Sequence, residues 1–214
     1  MGLMDHLLGH AAEGTTLLVT REIRWFHRGA VPAAVLDWFT TVPGAYEFEM
    51  RTDHYDLAAA GNGAGVKYRH GTYMDSKFRL SVRHDVALPG PFGGKVEDWV
   101  KISTPITPDT PPPPLEFVRV DKQLHTKSFI LDHIGFEGER AVAGCEVEIA
   151  SITSPNGTAW SLCFESFGPP ELRRDAFLAG FAGLTATPIP DDIVLTSDQN
   201  YGYPDWIARL AIAA

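Results

Sequence analysis

Over much of its length the chain alternates apolar and charged residues at a period of two, and that periodicity limits the folds open to it. In Cys145-Glu146-Val147-Glu148-Ile149 both acids fall on one face of an extended strand and the apolar residues on the other. Two acids about 7 Å apart on one face repel each other unless cations or water lie between them. Other segments of the same period supply cations: Val66-Lys67-Tyr68-Arg69, Ser76-Lys77-Phe78-Arg79-Leu80 and Trp99-Val100-Lys101. A ring of such strands with its charges turned inward is a barrel with an ion-lined interior, suited to an anionic ligand. The competing reading is a sheet whose charged face is solvated and paired with itself.

Taken in order, residues 1–12 place Leu3, Met4, Leu7, Leu8 and Ala11 at helical spacing, which predicts a short amphipathic helix on the outside. His6 and His10 share a face of that helix but have no third ligand nearby, so a polar helix face is expected there instead of a metal site. A strand from about Leu17 to His27 carries Glu22, Arg24 and Phe26 on one face, and Pro32 suits the first turn of a helix over 32–40. Tyr46 to Tyr55 reads as a strand with Glu47, Glu49, Arg51, Asp53 and Tyr55 on one face. The glycine-rich run 61–65 lacks a following Gly-Lys-Ser/Thr and leads into a strand, so it reads as a flexible hairpin connection and not as a phosphate loop.

Residues 66–70 and 73–84 form a hairpin around Gly71-Thr72, and 95–103 is a further strand. Six prolines between 105 and 114 predict an extended surface loop. In Phe117 to Phe129 the spacing puts Arg119 and Lys122 on opposite faces; strands 144–152 and 159–167 follow, joined at Asn156-Gly157. Leu172 to Leu184 and Tyr203 to Ala214 read as helices. The expected fold is α+β and mainly β: an antiparallel, tunnel-like barrel of about eight strands with peripheral helices, in a single domain over 1–214.

A formal charge of −9 argues against nonspecific nucleic-acid binding, while Lys and Arg gathered in a few strands would focus positive potential locally. No apolar run approaches a membrane span and no signal segment is apparent, so a cytoplasmic protein is expected. Cys145 and Cys163 are expected as two buried thiols and not as a bridge.

The order of these charged strands resembles the CYTH superfamily, the triphosphate tunnel metalloenzymes that include thiamine triphosphatases and class IV adenylate cyclases. The matching stretches are Arg51-Thr52-Asp53-His54-Tyr55, Gly65-Val66-Lys67-Tyr68-Arg69, Val96-Glu97-Asp98-Trp99-Val100-Lys101, Gly144-Cys145-Glu146-Val147-Glu148 and Phe164-Glu165-Ser166-Phe167-Gly168. The resemblance implies a small phosphorylated anion as ligand, held by Lys67, Arg69, Lys77, Arg79, Lys101 and Lys122. It implies Mg2+ or Mn2+ on Glu22, Glu146 and Glu148.

The family's first-strand motif, Glu-x-Glu-x-Lys, stands here as Glu22-Ile23-Arg24-Trp25-Phe26. The first acid is kept, the second is Arg24, and the lysine is Phe26; Leu124 replaces a further basic residue expected after Lys122. Arg24 then serves as one more phosphate donor, and the departure implies anion binding with triphosphate hydrolysis slow or absent. Restoring Glu at position 24 and Lys at position 26 is expected to raise metal affinity. A second ligand class is an apolar molecule in a lipocalin-like barrel, lined by Trp25, Trp38, Trp99, Trp160 and Phe164, although such rings also suit a packed core.

Overall fold

The computed structural model describes residues 13–69, 71–84, 88, 92–107, 117–134, 140–191 and 193–212. Eight strands follow the alternation of the sequence: β1 (Thr16–Arg28), β2 (Ala45–Asp56), β3 (Ala64–Arg69), β4 (Tyr73–Arg83), β5 (Val96–Pro105), β6 (Phe117–Ile134), β7 (Arg140–Ser154) and β8 (Gly157–Phe167). They close into a barrel in the order β1-β5-β4-β3-β2-β6-β7-β8, each neighbouring pair antiparallel. Helix α1 (Ala33–Thr41) follows β1, α2 (Arg173–Thr185) follows β8, and α3 (Tyr203–Ile212) comes last. The expected mainly-β barrel is therefore present, with β6 and β7 several residues longer than their periodicity suggests. The expected helix over 1–12, with His6 and His10, lies outside the described residues, as does most of the proline-rich segment. No helix among the described residues is long and apolar enough to cross a membrane.

Two apolar cores position the barrel. The first lies outside the ring, where α1 and α2 cover β1, β7 and β8. Phe177, Phe181 and Leu184 of α2 pack with Cys145, Val147, Ile149 and Phe164, and the rings of Phe164 and Phe181 stack at 3.9 Å. Gly180 permits this approach, since a Cβ there would stand 2.4 Å from Cys145 Sγ. Trp25, Trp38, Trp160 and Phe164 all belong to this outer core, so four of the five aromatics considered for an apolar cavity pack the protein instead. Cys145 faces this layer while Cys163, on the neighbouring strand, faces inward; both are free, buried thiols.

The second core plugs one end of the barrel. Phe26, Tyr55, Val120, Leu124, Ala150 and Ile152 project inward there and pack against Tyr203, Trp206 and Ile207 of α3. Phe26 stacks on Trp206 at 5.1 Å and on Tyr201 at 5.2 Å. A lysine at position 26, expected to raise metal affinity, would replace this ring with a buried ammonium group. The glycines of 61–65 are the seat of α3: a Cβ on Gly61 would meet Ala208 at 3.2 Å, and one on Gly65 would meet Pro204 at 3.1 Å. The loop expected to be a flexible connection is thus a packing surface.

Candidate functional site

Beyond this plug the inward faces of the strands are charged. Arg24, Lys67, Arg69, Lys77, Lys101, Lys122, Glu146 and Glu148, each singled out in the sequence, line one cavity of about 210 Å³. Glu146 is exposed, so solvent reaches the cavity on its side. Arg51, Tyr55, Asp75, Glu165 and Tyr203 share the lining and carry no assignment from the sequence.

Two predicted residues stand elsewhere. Arg79 is not in the cavity wall; its Nη1 donates to Glu97 Oε1 and Asp205 Oδ2, both at 2.9 Å, and so ties β4 and β5 to α3. Glu22 is 1% exposed and lies behind the lining, where it accepts a hydrogen bond from Arg24 Nε at 3.1 Å and another from Lys77 Nζ. Burial alone would raise the Glu22 carboxyl, but Lys77 and Arg24 hold it down at about 2.

On the β2–β3–β6 side, one carboxylate serves three cations. Asp53 is fully buried; Lys122 Nζ lies 2.7 Å from its Oδ2, Lys67 Nζ 3.1 Å and Arg51 Nε 3.5 Å. Burial would raise Asp53, but Lys122, Lys67 and Arg51 hold it far below the ordinary carboxylate range. Lys122 is the most enclosed of these three cations. Burial lowers Lys122 to about 7; Asp53 opposes that fall while Lys67 and Arg51 reinforce it. Its ammonium also donates to the Tyr55 hydroxyl at 2.6 Å and lies 3.9 Å from the centre of the Tyr203 ring. Next to this group, Arg69 Nη2 pairs with Asp75 at 2.9 Å.

Acids dominate the β1–β8–β7 side. Glu22 stands directly opposite Glu165, and Glu165 opposite Glu146, so three carboxylates form a row across three adjacent strands. The cavity wall strips part of the water from Glu146 and raises it, and Glu165 and Glu148 raise it further, with Lys101 opposing them. Glu148 accepts a hydrogen bond from Arg24 Nη1 at 2.8 Å. Arg24 and Lys77 therefore bridge the acidic side, and Lys101 makes no ion pair with a described residue.

If an anion occupies the cavity, its affinity is expected to fall severalfold as pH rises through about 7, because Lys122 gives up its charge there. The ligand's own ionisation acts the other way. Titration calorimetry at pH 6 and pH 8 measures the effect, and Lys122→Met is expected to abolish it.

No family model matches the chain, and neither does a curated protein. Nine chains of solved structures align with it. One is S. pombe Pct1 RNA triphosphatase, at 10% identity over 86% of this chain and 82% of that one, with a TM-score of 0.36. Another is Pct1 in complex with the Spt5 CTD, at 10% identity over 83% and 81%, with a TM-score of 0.35. Similarity this low carries no argument about activity.

Proposed function

We propose that the barrel binds a polyphosphate or a phosphorylated organic anion in the charged cavity. The observation that carries this reading is the register of its cations: Arg51 stands directly opposite Lys122, and Lys77 directly opposite Lys101. Like charges in such positions oppose sheet pairing by up to ~1 kcal/mol each. Opposite signs face each other at Asp53–Arg69 and Lys67–Asp75; Asp53 offsets the first cation pair, and Glu22 offsets Lys77 of the second. An anion between the cations turns that repulsion into attraction. Phosphoryl groups suit the donors present, since Lys supplies point charges and Arg a planar fork. The charged lining does not favour the apolar-ligand reading.

A divalent metal fits part of the acid set. Among the described residues no cluster of three or more ligands is poised to hold a metal. Glu22 is already occupied by Arg24 and Lys77. Glu146 and Glu165 oppose each other; Glu165 has a 3.8 Å contact with Lys77, and Glu146 makes no ion pair with a described residue. These two would hold Mg2+ or Mn2+ together with oxygens of the ligand itself, whereas Glu148 is already held by Arg24 at 2.8 Å. Such an ion offsets charge on a phosphoryl group undergoing transfer.

Arg24 occupies the position of a second first-strand acid and adds positive charge where the metal would bind, which supports binding with slow turnover. The test is phosphate release from tripolyphosphate under Mg2+ or Mn2+. We expect turnover well below the ~1 s⁻¹ at the low end of typical enzymes, and its loss in Glu146→Gln. Turnover in the typical range contradicts the slow reading, and activity unaffected by Glu146→Gln contradicts the role given to the acids.

A further inference from the structure

We propose that Tyr203, with Arg51 beside it, forms an oxyanion subsite at the closed end of the cavity and receives the terminal phosphoryl group of the ligand. The inference rests on the reading that this cavity binds a phosphorylated anion. It concerns which residues the anion meets last.

Tyr203 opens α3, the helix that plugs the barrel, and is only 9% exposed. Its ring is fixed on several sides: it lies edge-on to Phe26 at 5.1 Å, stacks over Tyr55 at 5.8 Å, and meets the Arg24 guanidinium at 4.6 Å. Yet its hydroxyl is buried without a hydrogen-bond partner. A buried O–H left unbonded costs about 1–3 kcal/mol, and a phenylalanine would make the same ring contacts without that cost. The hydroxyl lies within electrostatic reach of Arg24, Glu148, Asp53 and Arg51. Of the two acids among them, Glu148 and the Oδ2 of Asp53 accept hydrogen bonds from Arg24 and Lys122, while Asp53 Oδ1 accepts none and does not take the Tyr203 proton.

Arg51 repeats the pattern. Its Nη1 donates to Glu49 at 3.3 Å, while its buried Nε lies 3.5 Å from Asp53 Oδ2 without forming a hydrogen bond. Arg51 and Tyr203 line the same cavity. An O–H without an acceptor and an N–H with only a 3.5 Å ion pair to Asp53 thus stand in a wall whose cations outnumber its acids. An anionic oxygen is the group that satisfies both. Because α3 closes this end, a ligand arriving from the Glu146 side reaches Tyr203 with its leading group.

Calorimetric titration of tripolyphosphate into the wild-type protein, Tyr203→Phe and Arg51→Gln tests the assignment. A hydrogen bond to a charged oxygen predicts roughly tenfold or greater loss of affinity in each variant. The melting temperature of Tyr203→Phe is expected to stay level or rise, because the exchange removes an unbonded hydroxyl. A role in packing alone would not separate affinity from stability in this way. Equal affinity of Tyr203→Phe and the wild type overturns the subsite, as it would if water satisfied the hydroxyl. Absence of tripolyphosphate binding in the wild type overturns the underlying reading as well, so the two failures are distinct.

Discussion

Asp53→Ala is expected to destabilise the barrel by about 3–5 kcal/mol, the cost of breaking a buried ion pair by removing one partner. The structural reason is the ratio of charges around it: one fully buried carboxylate lies within 3.5 Å of Lys122, Lys67 and Arg51. Without it, Lys122 is left 3% exposed and directly opposite Arg51. The loss also depends on pH. Lys122 in the native protein titrates at about 7, below the ordinary 10.5 of lysine, so between these values the unfolded chain binds more protons and this group's contribution to stability rises with pH. Asp53 behaves oppositely to a raised acid: its depressed titration contributes stability above the ordinary 3.8, which is lost as pH falls. In Asp53→Ala the remaining cations relieve their repulsion by releasing the Lys122 proton. Urea denaturation should therefore show a larger penalty at pH 6 than at pH 8.5. A penalty below about 1 kcal/mol at pH 6 would mean that Asp53 does not hold the cluster together.

Exchanging Lys67 and Arg69 together for alanine is expected to remove most tripolyphosphate binding. Two charge-assisted hydrogen bonds of about 1.5 kcal/mol each make roughly a hundredfold difference in affinity. The structure adds a complication absent from the sequence. Both cations pair with Asp75, which is 2% exposed, so the double exchange leaves that carboxylate buried without its ionic partners. Adding Asp75→Asn removes the charge and should return stability to within about 1 kcal/mol of wild type, while binding stays lost. Recovery of binding in the triple variant would show that the double variant failed through misfolding and not through loss of donors.

The parts of the site legible in the sequence are those where charges recur at a period of two. Lys67 with Arg69, and Glu146 with Glu148, reached one cavity because strand geometry alone puts such pairs on one face. Arg51 was hidden by its company: it alternates with Glu47, Glu49 and Asp53, so its face does not read as basic. Glu165 is a single acid in its strand and gains meaning only from standing between Glu22 and Glu146, which is a matter of register. Arg79 shares a strand face with Lys77, but the closing helix brings Asp205 to it from far along the chain. Tyr203 looked like the first turn of an amphipathic helix. Only the packing of α3 on the glycines near residues 61–65 and on the inward plug shows that the helix closes the barrel and brings Tyr203 into the cavity wall.

Central to this account is an interior that holds more positive charge around Asp53 than the protein neutralises, and that an anion completes. Calorimetric titration of the wild-type protein with tripolyphosphate at two ionic strengths tests it most directly. The predicted result is saturable binding whose affinity falls as salt rises, since cations on β1, β2, β3, β4, β5 and β6 line the cavity. Absence of binding at low salt, or an affinity indifferent to salt, would contradict the account.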